Sequence, residues 1–235
     1  MTSIDEIAAG LFRISTPVDS VPGGFTYGQY LIRDDLPLLF HTGPRALFDT
    51  TLAAIAKVLP PETLRYIGFS HVETDECGAL NNFLAVAPHA VPFTGTIGAR
   101  VSARDFSDRP VMALAENAPL KLGQHSLRWF DAPHVPHGWE CGYLSDDTVK
   151  ALLCGDLFTQ PGSDHPALTR GDILEASEAM RARTDYYAHG PNTGAVLEKL
   201  AATEPRILAC MHGAAWEGDG ASLLRELSRR LGAAA

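Results

Sequence analysis

Four side chains able to bind metal stand within six residues at His71-Val72-Glu73-Thr74-Asp75-Glu76, directly after the apolar stretch Tyr66-Ile67-Gly68-Phe69-Ser70. That stretch has the length and content of a short buried strand, and Cys77-Gly78 followed by Ala79–Leu84 reads as the turn into a helix. A strand-to-helix loop is where an α/β scaffold aims side chains while its regular elements stay fixed. Gathering an imidazole and three carboxylates is costly unless a cation neutralises them. An acidic surface loop with one histidine is the plain alternative, and the rest of the chain decides.

Three later segments repeat the pattern of apolar strand, then donor, then glycine or proline. Asp131-Ala132-Pro133-His134-Val135-Pro136-His137 follows the alternating Leu127-Arg128-Trp129-Phe130. Leu152-Leu153-Cys154-Gly155-Asp156 ends in an aspartate, and Ile207-Leu208-Ala209-Cys210-Met211-His212-Gly213 in a histidine. Singly, each is a turn residue or a cap. Four in this order point to a metal site.

The order His71-x-Glu73-x-Asp75, His134, Asp156, His212 resembles the metallo-β-lactamase fold. Within it the chain is most similar to the diiron domain of flavodiiron proteins and their stand-alone oxygen-binding relatives. Hydrolytic zinc members carry His-x-His-x-Asp-His in the first loop, and glutamate at the third position marks the diiron branch. Leu122-Gly123, Ala132–Pro136, Cys154–Phe158 and Met211–Trp216 resemble further segments of that branch. Leu38-Leu39-Phe40-His41-Thr42-Gly43 resembles the turn after the fold's second strand, with His41 where an aspartate is usual. The likeness runs from about residue 5 to about residue 230.

The resemblance implies a four-layer αββα sandwich of two mixed β-sheets flanked by helices. It implies two iron ions, with manganese or zinc as alternatives. His71, Glu73 and His134 would hold one ion, Asp75 and His212 the other, and Asp156 would bridge them. The chemistry agrees, because imidazoles and carboxylates without thiolate form a hard set that suits iron or manganese, although zinc also binds such sites. Glu76 replaces the family's histidine. It is open as a ligand, as an acceptor behind the ligands, or as an acid favoured at a helix N-terminus. His137 falls where the family has an acidic residue, either as a loop histidine or as a proton donor near the metals. Trp139, Tyr143 and Phe158 read as core or pocket wall. His89, His125, His165 and His189 read as surface, with His165 in a loop that faces the site. Cys77 either lines the site or packs beneath it.

Length allows one large α/β domain over residues 1–235. A net charge of −9 argues against nucleic acid as a partner. No signal peptide or membrane span is indicated. Cys77, Cys141, Cys154 and Cys210 form no Cys-x-x-Cys pair, so a rubredoxin-like iron site is not expected, and a reducing cytoplasm fits. The closing Gly232-Ala233-Ala234-Ala235 leads us to expect no flavodoxin-like domain, hence no flavin in this chain.

Strands are expected at 6–14, 25–33, 64–70, 91–93, 118–122, 125–131, 141–146, 148–155 and 206–210. Helices are expected at 47–58, 76–87, 171–187, 191–203 and 220–231, with an irregular excursion at 97–108. The leading function is a diiron protein that binds or reduces dioxygen or a related oxidant such as nitric oxide, fed by a separate electron-donor protein or reductase. The competing functions are a dinuclear metallohydrolase cleaving esters, thioesters or lactones, and an oxygen or redox sensor without turnover. A homodimer is left open.

Overall fold

The computed structural model describes residues 1–233. Its first departure from expectation is at Ala9-Gly10, where the strand foreseen at 6–14 folds back into a hairpin of β1 (Ser3–Ala8) and β2 (Leu11–Val18). Gly10 takes φ +73°, a left-handed conformation open to glycine at little cost, and this turns the chain. Strands β3 (Phe25–Ile32) and β4 (Leu38–Phe40) extend the antiparallel meander. Helix α1 (Phe48–Ile55) then crosses to β5 (Tyr66–Gly68), and α2 (Thr74–Cys77) with α3 (Leu80–Val86) crosses to β6 (Val91–Gly95). A wide helical turn at Gly98–Ala103 and the short α4 (Arg104–Phe106) lead to β7 (Met112–Leu114). Strands β5, β6 and β7 add to β4 in parallel, completing a seven-stranded sheet in sequential order.

A second sheet begins with the antiparallel β8 (Pro119–Lys121), β9 (Ser126–Asp131), β10 (Gly142–Asp146) and β11 (Ala151–Gly155). The edge strand β12 (Leu168–Thr169), helices α5 (Leu174–Thr184) and α6 (Thr193–Ala201), β13 (Ile207–Cys210), β14 (Ala215–Glu217) and α7 (Gly220–Ala233) follow. Its order is β12-β14-β13-β11-β10-β9-β8, with β13 parallel to β11.

Period-2 alternation divides the apolar residues into three layers. Leu38, Phe40, Leu127, Trp129, Leu144 and Leu153 fill the space between the sheets. Leu39 and Ile67 face outward onto Ile55, Leu80 and Phe83 of the first helices. On the other side Phe130, Leu152 and Leu208 meet Leu174, Leu197, Leu200 and Leu224. Each such side chain stabilises the fold by roughly 1.5–3 kcal/mol when fully buried. The two mixed sheets and their flanking helices are the expected αββα sandwich.

The helix foreseen at 76–87 is broken. The amide of Ala79 leaves the helical ladder for Gly43 O and Thr42 Oγ1, both at 3.1 Å, and so anchors the first acidic loop to the turn after β4. The region foreseen as helical at 171–187 is helical over Leu174–Thr184, where Asp172 Oδ1 accepts the amides of Leu174 and Glu175. Among the described residues no helix is long and apolar enough to cross a membrane.

Candidate metal centre

The C-terminal ends of β5, β11 and β13 converge, and their loops bring His71, Asp156 and His212 together. Gly28 of β3 allows this approach, because a Cβ there would lie 2.6 Å from the Met211 carbonyl oxygen. Asp156 sits at the centre with one oxygen turned to each side. Its Oδ2 lies 3.4 Å from His71 Nε2 and 3.3 Å from His137 Nε2. Its Oδ1 lies 3.2 Å from His212 Nε2, which is itself 3.4 Å from Asp75 Oδ2. Glu73 Oε1 completes the first group, 3.1 Å from His137 Nε2.

All three rings are anchored from behind. His71 Nδ1 meets Ser70 Oγ at 2.9 Å, His137 Nδ1 meets Tyr186 O at 2.8 Å, and His212 Nδ1 meets Thr26 O at 2.8 Å. An oxygen partner at Nδ1 places the proton there and leaves the Nε2 lone pair facing inward, as a metal ligand requires. The Nε2 atoms of His71 and His137 are 3.1 Å apart. Two such lone pairs aimed at each other are unfavourable unless a proton or a cation lies between them.

Charge tells the same story. Burial alone would lower the pKa of His137 and of His212. Pairing outweighs burial, with Asp156 and Glu73 for the former and Asp156 and Asp75 for the latter, and raises both to about 10. Asp156 is held well below the ordinary carboxylate range, because His137 and His212 overcome the opposing effect of burial. Glu76 is driven well above that range, first by burial and then by Asp156 and Asp75. Protons and divalent cations are alternative ways of balancing four carboxylates packed this closely. Asp156 Oδ1 and both oxygens of Glu76 are buried and have no hydrogen-bond partner among the described residues. Unpartnered buried oxygens are rare and costly, so this donor set fits a pair of cations.

One expected ligand stands elsewhere. His134 is exposed, with φ +64°, and belongs to none of the clusters able to hold an ion. His137, three residues on, occupies that place. The cause is the loop path: His134 N–H bonds to Gly138 O, which turns the His134 ring outward, while the Tyr186 carbonyl draws the His137 ring inward. Other expectations also change. Trp139 is 52% exposed rather than part of a wall, whereas Tyr143 and Phe158 are buried. His125 is buried and paired with Asp146, not on the surface. His165 bonds to Pro161 O within its own loop. Cys77 is buried with its thiol on Glu73 O, and burial pushes its pKa up to about 12.

The sequence alone did not disclose the support behind His71. Ser70 Oγ lies between His71 Nδ1 and His41 Nε2, at 2.9 Å from each. His41 Nδ1 in turn is 2.8 Å from Met211 Sδ. Burial lowers the His41 pKa to about 3, so the ring is neutral. Its proton then sits on Nδ1, the Ser70 hydroxyl donates to Nε2, and Ser70 accepts from His71. The direction of every hydrogen bond is thereby fixed.

The sequence signature described as ODP family beta lactamase matches residues 25–213, a span that includes every residue of the cluster. The chain belongs to that family. Among curated relatives of this ODP-family protein, the rubredoxin-oxygen oxidoreductase of Megalodesulfovibrio gigas is 27% identical over 209 residues, covering 84% of this chain and 50% of its own length. The anaerobic nitric oxide reductase flavorubredoxin of Aeromonas hydrophila is 25% identical over 217 residues, covering 86% and 42%. A metal-soaked flavodiiron core from Synechocystis superposes with a TM-score of 0.82 at 20% identity, over 98% of this chain and 60% of that one. The chain spans about half the length of the curated relatives it matches.

Proposed function

We propose that this protein is a non-heme diiron protein that binds or reduces dioxygen or nitric oxide. The observation that carries the proposal is Asp156, which turns one carboxylate oxygen to each side of a set of imidazoles and carboxylates that contains no thiolate. His71, Glu73 and His137 would hold one ion and Asp75 and His212 the other, with Asp156 shared. Such a pair of ferrous ions supplies two electrons in concert and a place for a diatomic molecule. The protein contributes position. Each ring is locked at Nδ1, so the Nε2 atoms need no rearrangement to bind. Glu73 is 49% exposed and His137 partly so, whereas Asp156 is buried, which makes the Glu73–His137 side the entrance for a small ligand. The names of the two relatives, an oxygen oxidoreductase and a nitric oxide reductase, support this class of ligand.

Electrons must come from outside these residues. The four cysteines are free and buried, and the thiols of Cys154 and Cys210, 3.9 Å apart, are sealed from any exchanging partner. A separate donor protein or reductase fills that role.

Protein made in iron-replete medium should contain about two metals per chain, mainly iron, as the ligand set implies. After anaerobic reduction it should consume roughly one oxygen per site in a burst and then stop, restarting when a flavin reductase and NADH are added. A preparation holding only zinc under those conditions would overturn the diiron assignment. Metal-dependent thioester or lactone cleavage without any oxygen burst would put a hydrolase in its place.

A further inference from the structure

Glu76 is the most enclosed acid of the cluster, with a side chain 0% exposed. Neither of its oxygens meets a hydrogen-bond donor among the described residues. Its main chain is clamped: the Glu76 carbonyl accepts the Thr42 amide at 2.8 Å and the Thr42 hydroxyl at 3.4 Å. The Thr42 hydroxyl oxygen also accepts the Ala79 amide at 3.1 Å. With the backbone held from the β4 side, the carboxylate points into the floor of the site. There it joins both halves. It falls with His71 and Asp156 in one group and with Asp75 and His212 in another, ligand atoms lying within 4.8 Å of one another in each. Its Oε2 is 3.9 Å from His71 Nε2.

An acid kept for structure finds donors, since a bare buried carboxylate opposes folding. Glu76 instead lies among His71, Asp75, Asp156 and His212. We propose that Glu76 is a fourth carboxylate ligand that bridges the two ions from the buried floor, beside the Asp156 bridge. The inference rests on the two-ion site proposed above. Glu73, Asp75, Glu76 and Asp156 then carry four negative charges, matching two divalent ions when the imidazoles are neutral. Such a site holds no excess positive charge to attract an anion, which favours a neutral diatomic ligand, and it stabilises the oxidised pair.

The test is anaerobic titration of chelator-stripped wild type, Glu76→Gln and Glu76→Asp with Mn2+, with thermal melts of the stripped and loaded forms. Wild type should bind two ions. Glu76→Gln should bind the second more than about 100-fold more weakly, beyond the loss typical of residues behind the ligands. Stripped Glu76→Gln should melt no lower than stripped wild type, because the substitution keeps the size of the side chain and leaves no donor of the fold without its partner. Glu76→Asp keeps the charge but is shorter, so it should bind both ions with reduced magnetic coupling between them in the EPR spectrum. Glu76→Gln that binds two ions with wild-type affinity would overturn the bridge alone. A stripped Glu76→Gln that melts well below stripped wild type would also overturn it, by assigning Glu76 a structural role. Wild type saturating at one ion would overturn the two-ion site itself.

Discussion

Two histidine–aspartate clusters lie in the same sandwich and differ in what is left over. His125 Nδ1 meets Asp146 Oδ2 at 2.6 Å, and Asp146 Oδ1 accepts the Thr148 amide at 2.9 Å. Both carboxylate oxygens have a donor, and nothing further is asked of the pair. Around Asp156, three imidazoles and three further carboxylates converge, with imidazole lone pairs directed at one another, and three buried oxygens go without a donor. The comparison separates polar residues whose hydrogen bonds are complete from polar residues left with unpartnered oxygens. Completeness of hydrogen bonding, rather than residue type, distinguishes them.

The largest expected effect tests that separation directly. Asp156→Ala should lose both ions, whereas Asp146→Ala should keep both and lose about 1–3 kcal/mol of folding stability through the unpaired His125. Elemental analysis beside urea melts would show it. The contrast collapses if Asp156→Ala still carries two metals. Loss of the ions should also remove roughly 4 kcal/mol of metal-linked stability at a thousandfold excess over Kd.

Next in size is the exchange of the two loop histidines. His137→Ala should weaken one ion by about 100-fold or more, since an inward lone pair is lost. His134→Ala should leave affinity unchanged. The opposite pattern in a metal titration would restore His134 as the ligand. Smaller again is Ser70→Ala, which takes away the hydroxyl between His41 and His71 and keeps every ligand. Affinity should fall about 10-fold, because the His71 ring loses its oriented partner. Unchanged affinity would show that packing alone holds the ring.

The smallest effect belongs to the complete pair. Pairing with Asp146 raises the His125 pKa above 6.5, against the opposing effect of burial. The folded protein therefore holds this proton at a pH where the unfolded chain releases it. The contribution is whole below pH 6.5 and is lost as pH climbs through the folded value. Asp146→Asn should thus lag wild type by about 1 kcal/mol near pH 6 and by less near pH 9. A gap that widens with pH would contradict the assignment.

Much of this was legible because strand ends announce themselves. The alternation of Leu38, Leu39 and Phe40, and of Leu127 to Phe130, gives away which faces are buried. His71, Asp156 and His212 each close an apolar run, so their convergence follows once the strands are ordered. That the His137 ring, and not that of His134, joins the cluster was not legible. It turns on a carbonyl at Tyr186, 49 residues away, that no local pattern reveals. His41 was noticed only as an unusual residue in a turn. Its place beside Ser70 depends on β4 pairing in parallel with β5, which is a tertiary fact. The hairpin at Gly10 and the break at Ala79 were missed because apolar periodicity runs through both.

The grip on His212 has a consequence for time. Its ring is held by the Thr26 carbonyl, 186 residues earlier, while Thr26 Oγ1 accepts the Gly213 amide and Arg13 donates to the Gly213 carbonyl. His212, the last residue of the cluster in chain order, thus takes its orientation from strands that precede it by 186 residues or more. Contacts so distant along the chain form late, after local segments have settled. A nascent chain that has not yet produced β13 already carries every residue of the cluster except His212. The cluster then closes at the end of folding instead of seeding it.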